Sequence, residues 1–331
     1  MTTHPEQNEF ALIDRIIARL GDAAASDILV APGDDAAAWI PTGGAVVAST
    51  DTIAEGTHWR PGVLSMADVG WRAVATSVSD LAAMGATPQV ILVAAALGPA
   101  VTLVEFDGII DGMAEACIAL QVKVAGGDIV RGRSTSFTVT ALGGARLDRA
   151  GRAMVMRRDG AQVGDAVAVS GTPGAATAGL HLAERGVDVP HAADAIRAWR
   201  QPFARTELGL EALNLGVPCA IDISDGLVQD LGHIAERSSV GIEVDIEALP
   251  LSSAAVALFG SDAARDFALA GGDDYELILV ARHGVLEALE GITIIGRVVE
   301  QHPGEVVVRQ PDGAPYPIPD GWDALRAWPL H

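Results

Sequence analysis

Six short acidic segments carry the residue types best suited to chemistry. They are Gly33-Asp34-Asp35, Ser49-Thr50-Asp51, Ser79-Asp80, Gly126-Gly127-Asp128, Asp222-Ile-Ser-Asp225 and Gly271-Gly272-Asp273-Asp274. Hard oxygen donors of this kind suit Mg²⁺, which takes a few carboxylates per ion and completes its shell with water and phosphate oxygens. Asp34 and Asp35, with Asp51, Asp80, Asp128 and Asp222, could serve several ions. Gathered in one place they would repel one another unless cations lay between them. Singly, each segment also reads as ordinary structure. Asp51 could close an Asx turn, and Asp225, before Gly-Leu-Val-Gln-Asp-Leu, could cap a helix. Six such segments together favour metal chemistry. Zinc does not fit, because the histidines lack His-x₃-His spacing and the two cysteines, Cys117 and Cys219, are far apart.

Lysine usage narrows the chemistry. Lys123 is the only lysine and lies in Gln-Val-Lys-Val, so neither a P-loop nor a protein-kinase Val-Ala-Ile-Lys strand is present. If the chain handles a nucleoside triphosphate, metals and arginines must do what lysine does elsewhere. Gly126-Gly127 and Gly271-Gly272 would let backbone amides approach an anion. Gly171-Thr-Pro-Gly174 could cradle a phosphate, although a glycine-started helix is the better reading. Asp230 and His233 share a helix face and read as a surface pair, and His58 reads as a base, a substrate donor or a loop residue. No Gly-x-Ser-x-Gly elbow occurs.

Bulk properties set the frame. The chain has 331 residues, 50% of them hydrophobic, enough for about two domains. With 22 basic and 43 acidic residues the net charge is −21, which argues against nucleic acid and against anionic membranes as partners. The longest apolar run, Val90 to Leu97, falls short of the ~20 residues a bilayer span needs. The first residues lack the basic and apolar regions of a signal peptide, and both cysteines sit in apolar contexts, so a cytoplasmic protein is expected.

The elements that would position the acidic segments follow from periodicity. Helices are expected over Glu9–Leu20, Ala67–Met84, Val101–Leu120, Gly171–Arg185, 191–199, 204–215 and Leu227–Arg237. Strands are expected at Asp27–Val30, Ala36–Ile40, Val46–Ala48, Gln89–Leu97, Val122–Ala125 and Ser136–Ala145, then at Ala166–Ser170, Pro218–Ile221, Ile242–Val244, Tyr275–Val280, Thr293–Val299 and Glu305–Arg309. Most acidic segments therefore follow an apolar strand, where α/β proteins bind ligands. The arginine- and glycine-rich stretch Leu147 to Asp165 reads as the domain junction. The expected division is 1–150 and 151–331.

Six motifs in this order resemble the thiamine-monophosphate kinase family, within the aminoimidazole ribonucleotide synthetase-like superfamily. They are Gly33-Asp-Asp-Ala-Ala37, Ser49-Thr-Asp-Thr-Ile-Ala-Glu-Gly-Thr-His58, Ser77-Val-Ser-Asp-Leu-Ala-Ala-Met-Gly-Ala86, Gly126-Gly-Asp-Ile-Val-Arg-Gly132, Ile221-Asp-Ile-Ser-Asp-Gly-Leu227 and Gly271-Gly-Asp-Asp-Tyr-Glu-Leu277. The resemblance implies a two-domain α/β (α+β) fold. Its N-terminal domain would bind ATP and Mg²⁺ and contribute a mixed sheet to the barrel of a homodimer; an α/β domain would follow. It implies transfer of the γ-phosphoryl group of ATP to thiamine monophosphate. Asp35, Ser49, Thr50, Asp51, Asp80, Asp128, Asp222 and Asp225 are the implied Mg²⁺ ligands, with Asp51, Asp128 and Asp225 central to catalysis. Gly127, Asp128, Arg158 (or Arg157) and Ser224 are the implied ATP contacts. His58, Asp273 and Trp322 are the implied contacts to thiamine monophosphate, Trp322 being equally readable as a packed aromatic.

The alternatives are another ATP-using enzyme of the same superfamily and a non-catalytic nucleotide or metal sensor. A selenophosphate synthetase would carry an N-terminal Cys or selenocysteine with a nearby Lys, whereas the first cysteine here is Cys117. The hydrogenase-maturation member would end in cysteine, and this chain ends Trp-Pro-Leu-His. The acidic segments argue against a sensor.

Overall fold

The computed structural model of the chain describes residues 9–32, 36–187 and 192–319. It divides into two compact units, one of residues 1–81 and 87–153, the other of 82–86 and 154–331. Asp34, Asp35 and Trp322 lie outside the described residues.

The first unit is a four-stranded mixed sheet with helices. Its elements are α1 (Glu9–Leu20), β1 (Gly44–Ala54), α2 (Met66–Ala83), β2 (Thr87–Leu97), α3 (Leu103–Ala119), β3 (Lys123–Arg131) and β4 (Ser136–Arg146). The strand order is β1-β4-β2-β3, with β2 and β3 parallel and the other pairs antiparallel. Among the described residues the sheet is open, with β1 and β3 at its edges. One face is buried, through Phe137, Val139 and Ala141 of β4 and Ile91 of β2. The other presents Val46, Thr50, Thr52 and Leu92 to solvent.

Helix α2 is buried along most of its length, and so are its polar residues Asp68, Arg72, Thr76, Ser77 and Ser79. A capping box starts it: the Asp68 amide donates to Ser65 Oγ at 3.1 Å, and the Ser65 amide donates to Asp68 Oδ2 at 3.3 Å. Thr102 and Glu105 start α3 in the same way. The two helices cross at glycine. A Cβ on Gly70 would lie 1.9 Å from the Ile109 carbonyl oxygen, and one on Gly112 would lie 1.9 Å from that of Ala67.

Two strands run further than expected. The sequence ends the first at Ala48 and a later one at Ala125, with turns following. Instead β1 pairs with β4 without interruption from Gly44↔Arg146 to Ala54↔Ser136, so Ser49, Thr50 and Asp51 lie within a strand. Thr50 faces solvent there, while Ser49 and Asp51, half-buried on the other face, find polar partners in Asp80 and Ser77. Strand β3 likewise continues through Gly126, Gly127 and Asp128 to Leu97↔Arg131. Gly127 serves close sheet packing there, since a Cβ would lie 2.0 Å from the Val93 carbonyl oxygen. In contrast, the strands expected at Asp27–Val30 and Ala36–Ile40 reduce to one bridge, Val30 with Ala38.

The second unit has a six-stranded sheet ordered β10-β7-β9-β5-β8-β6. Its strands are β5 (Ala166–Ser170), β6 (Cys219–Asp222), β7 (Gly241–Asp245), β8 (Leu277–Ala281), β9 (Ile292–Val299) and β10 (Val306–Arg309). Only β10 and β7 pair in parallel. Helices α4 (Ala175–Glu184), α5 (Ala193–Arg200), α6 (Thr206–Asn214), α7 (Leu227–Ser238), α8 (Ser253–Phe259), α9 (Ser261–Ala270) and α10 (His283–Leu286) complete it. All residues of β5, β6 and β8 are buried. Val167, Val169, Ile221, Ile278 and Val280 pack with Leu231 and Ile234 of α7, while Ala168, Ala220, Leu277 and Leu279 pack with Ala212 of α6. A strand covered on both faces reads as a continuous apolar run. Helices α8 and α9 occupy a stretch to which the sequence reading assigns no helix.

Candidate active site

Each unit carries its own group of the expected residues. In the first, β1 and α2 supply Ser49, Asp51 and Asp80. Alternation puts Ser49, Asp51 and Ile53 on the buried face of the sheet, opposite Ala141, Val139 and Phe137. There the Ser49 hydroxyl donates to Asp80 Oδ2. The Asp51 carboxyl is pushed up to about 6, first by burial, then by the negative charge of Asp80 and a hydrogen bond with it, against an opposing hydrogen bond from Ser77. The Ser77 hydroxyl also donates to the Val139 carbonyl at 2.8 Å.

Two carboxylates and a hydroxyl held this closely suit a hard divalent cation, which would offset the burial and the repulsion that raise the Asp51 pKa. Among the described residues no group of three or more carboxylate, imidazole or thiol side chains is arranged to hold a metal. The donors at hand are thus two carboxylates and a hydroxyl, and water and phosphate oxygens would complete such a shell.

Thr50 and Asp128 lie on the opposite face of the same sheet. Register places Thr52, Thr138, Ala94 and Asp128 in one row, and Thr50, Thr140, Leu92 and Gly126 in the next. The Thr50 hydroxyl meets that of Thr140 at 3.1 Å, and Thr52 meets Thr138 at 2.7 Å. Beyond β1, Glu55 to Trp59 turn back on themselves, and the Ala54 amide donates to His58 Nδ1 at 3.1 Å. That bond leaves the neutral imidazole with its proton on Nε2, a donor. Lys123 pairs with Asp27.

In the second unit, β6 ends at the buried Asp222 and leads into Ile223-Ser224-Asp225-Gly226. The segment Gly271–Glu276 lies along it: the Asp273 amide donates to the Ser224 carbonyl and the Tyr275 amide to that of Ile223, both at 2.8 Å. Asp273 and Tyr275 hold positive φ, 67° and 52°. The Tyr275 hydroxyl reaches Asp273 Oδ1 at 3.1 Å.

Buried carboxylates brace both loops. Asp274 accepts from the Gly174 and Ala176 amides at 2.6 and 3.0 Å, and its carboxyl is pushed up to about 8, chiefly by burial. It thereby fills the start of α4, where the sequence left open a phosphate cradle. Glu276 pairs with Arg205 and accepts from the Ser170 hydroxyl.

Asp230 is buried, not a surface partner of His233. Its Oδ2 accepts from the Ser224, Asp225 and Gly226 amides at 3.0, 3.2 and 3.2 Å. Burial, then the charge of Asp225, raises its carboxyl to about 7. Asp225 is not the cap of α7; that position belongs to Gly226, and Asp225 instead accepts from the Gln229 side chain at 3.4 Å. Arg157 is bound through its guanidinium to Asp159 at 2.8 and 2.6 Å. Arg158 is exposed and makes no side-chain ion pair among the described residues, while its carbonyl accepts from the Ser238 hydroxyl at 2.9 Å. Sequence reasoning missed Asp230, Asp274 and Tyr275 as supports. For Asp230 a signal existed: a carboxylate in the first turn of a helix that follows an acidic turn.

Known proteins share this architecture. Models of the N-terminal and C-terminal domains of AIR synthase related protein match residues 33–145 and 162–309. The thiamine-monophosphate kinase of Escherichia coli (strain K12) is 34% identical over 319 residues, spanning 93% of this chain and 94% of that protein. The crystal structure of thiamine-monophosphate kinase from Stenotrophomonas maltophilia K279a superposes with a TM-score of 0.80 at 38% identity, covering 93% of this chain and 98% of that one. The structure of AaThiL complexed with AMPPCP and TMP superposes with a TM-score of 0.76 at 31% identity, covering 97% and 98%. With two domain models matched in order and more than nine-tenths of its length shared with such relatives, this chain belongs to the thiamine-monophosphate kinase family.

Proposed function

We propose that the chain transfers the γ-phosphoryl group of ATP to thiamine monophosphate, giving thiamine diphosphate and ADP. The observation that carries this reading is its likeness, over 97% of its length, to a structure complexed with AMPPCP and TMP. The nucleophile is a phosphate oxygen of thiamine monophosphate, mostly dianionic at neutral pH because its second pKa is about 6. It bonds to the γ-phosphorus as the bond from that phosphorus to the bridging oxygen of ADP breaks. No strong base is needed. Mg²⁺, when bound, would screen the two polyanions and favour an in-line geometry.

The chain's own residues hold and orient. Ser49, Asp51 and Asp80 form the donor set of the first unit, with Thr50, Asp128 and Asp35 as further ligands. Asp222 and Asp225 are the ligands of the second. Gly127, Asp128, Ser224 and Arg158 contact ATP, Arg158 being favoured over Arg157 because Asp159 occupies the latter. His58, with Nε2–H as donor, Asp273 and Trp322 contact thiamine monophosphate. Residues 1–150 are assigned ATP and Mg²⁺ binding and homodimerisation, and 151–331 the α/β domain. The protein is read as cytoplasmic; no helix among the described residues is long and apolar enough to cross a membrane.

Incubation with ATP, Mg²⁺ and thiamine monophosphate tests the reading. Thiamine diphosphate should form at the rate ADP appears, with no phosphorylated protein trapped during turnover. ATP binding without product would favour the sensor; a phosphorylated Asp or His would replace direct transfer by a two-step route.

A further inference from the structure

We infer that Asp230 is a positioning residue that holds the Ser224–Asp225 turn in its working shape, an inference that rests on the proposed roles of those two residues. Asp230 is 2% exposed and accepts three consecutive backbone amides on one oxygen. Three successive N–H groups converging on one point fix the backbone torsions between them.

A helix start leaves amides that an N-cap side chain usually satisfies. Here the N-cap is Gly226, at φ 126° and ψ 144°, with no side chain to offer. Asp230, one turn inside α7, reaches back past the first turn to the amides of Ser224, Asp225 and Gly226, the residues that lead into the helix. The three amides of the turn thus take their acceptor from Asp230 and not from the turn's own side chains. Only glycine fits at 226, where φ is positive and a Cβ would lie 2.9 Å from the Ala270 carbonyl oxygen.

The turn is also held from its other side. The carbonyls of Ile223 and Ser224 accept the Tyr275 and Asp273 amides, and the Ile223 amide donates to the Glu276 carbonyl at 2.8 Å. Amides on Asp230 and carbonyls on the 271–276 segment leave the backbone of the turn little freedom. Removing the carboxylate would leave three amides without this acceptor, that of Gly226 in a buried place, and the turn would shift to find other partners.

The test measures turnover of the full chain against Mg²⁺ concentration for Asp230→Ala, Asp230→Asn and Asp225→Ala, at a temperature where circular dichroism shows each folded. Asp230→Ala should lower kcat by about tenfold or more through misplaced ligands and raise the Mg²⁺ concentration at half-maximal rate. Asp230→Asn retains an acceptor oxygen and should stay within about threefold of wild type in both. A merely structural role would lower the melting temperature and leave the Mg²⁺ dependence of the folded enzyme unchanged. Should the alanine variant fail to fold, Asp230→Ser is read in its place. If Asp225→Ala is impaired while folded Asp230→Ala matches wild type, the positioning role falls alone. If Asp225→Ala is itself silent, the proposed role of Asp225 falls and this inference falls with it.

Discussion

At the residue scale the sharpest feature is the Asp51–Asp80 pair. Asp51 holds its proton more tightly in the folded chain, about 6 against an ordinary 3.8. A raised carboxyl favours the folded state at low pH, and that contribution is lost as pH climbs from the unfolded value through about 6. At pH 7.5 without metal the pair therefore works against folding. Asp51→Asn should raise the melting temperature of metal-free protein at pH 7.5, flatten its change between pH 4.5 and 7, and reduce the further rise on adding Mg²⁺. The same variant should lose at least about a hundredfold in turnover. Thermal melts with and without Mg²⁺, beside the product assay, check both; wild-type turnover at saturating Mg²⁺ would refute the assignment. Tyr275 offers a gentler probe. Its hydroxyl steadies Asp273, so Tyr275→Phe should raise KM for thiamine monophosphate by about three- to tenfold, the net worth of one ordinary hydrogen bond, with kcat and KM for ATP little changed. A rise confined to the KM for ATP would count against Asp273 as the thiamine monophosphate contact.

At the scale of elements, α2 is the part that must not move, because it carries both Ser77 and Asp80. Its crossing with α3 depends on Gly70 and Gly112, each within 1.9 Å of a carbonyl oxygen if given a Cβ. Gly70→Ala should push the helices apart and destabilise the fold by about 3 kcal/mol, near the upper end for overpacking. A lower denaturation midpoint with an unchanged m-value would show it; an unchanged midpoint would mean the helices part at no cost. Most helices and strands were legible from period alone, as with Ala166–Ser170, whose bounds match β5. The ends of β1 and β3 were not. Ser49-Thr-Asp and Gly126-Gly-Asp look like turns to local chemistry, and only pairing with β4 and β2 extends them. Helices α8 and α9 were missed for a similar reason. They are short and alanine-rich, and the Ser252 cap that starts α8 passes for ordinary loop serine. The candidate residues were legible by type and order, but the division of Ser49 and Asp51 from Thr50 and Asp128 between two faces was not, because it follows from register.

At the scale of the whole molecule, a net charge of −21 meets two anionic substrates. Long-range repulsion should slow their approach at low ionic strength. Raising monovalent salt from about 10 to 100 mM at fixed saturating Mg²⁺ should therefore raise kcat/KM for ATP, since the Debye length contracts from about 30 to 10 Å. Initial rates at low ATP would measure it, and a steady fall with salt would mean that local positive charge governs capture. The alternation of β1 has a consequence of another kind. Residues 49, 50 and 51 address opposite sides of the sheet in turn, so chain length there acts as a ruler graduated in twos. Deleting one residue between Gly44 and Ser49 would exchange hydroxyl and carboxylate across the sheet while leaving composition almost untouched. Related sequences should therefore keep the count of residues from the start of this strand to Asp51 constant or changed only in pairs, whatever side chains fill the positions before Ser49.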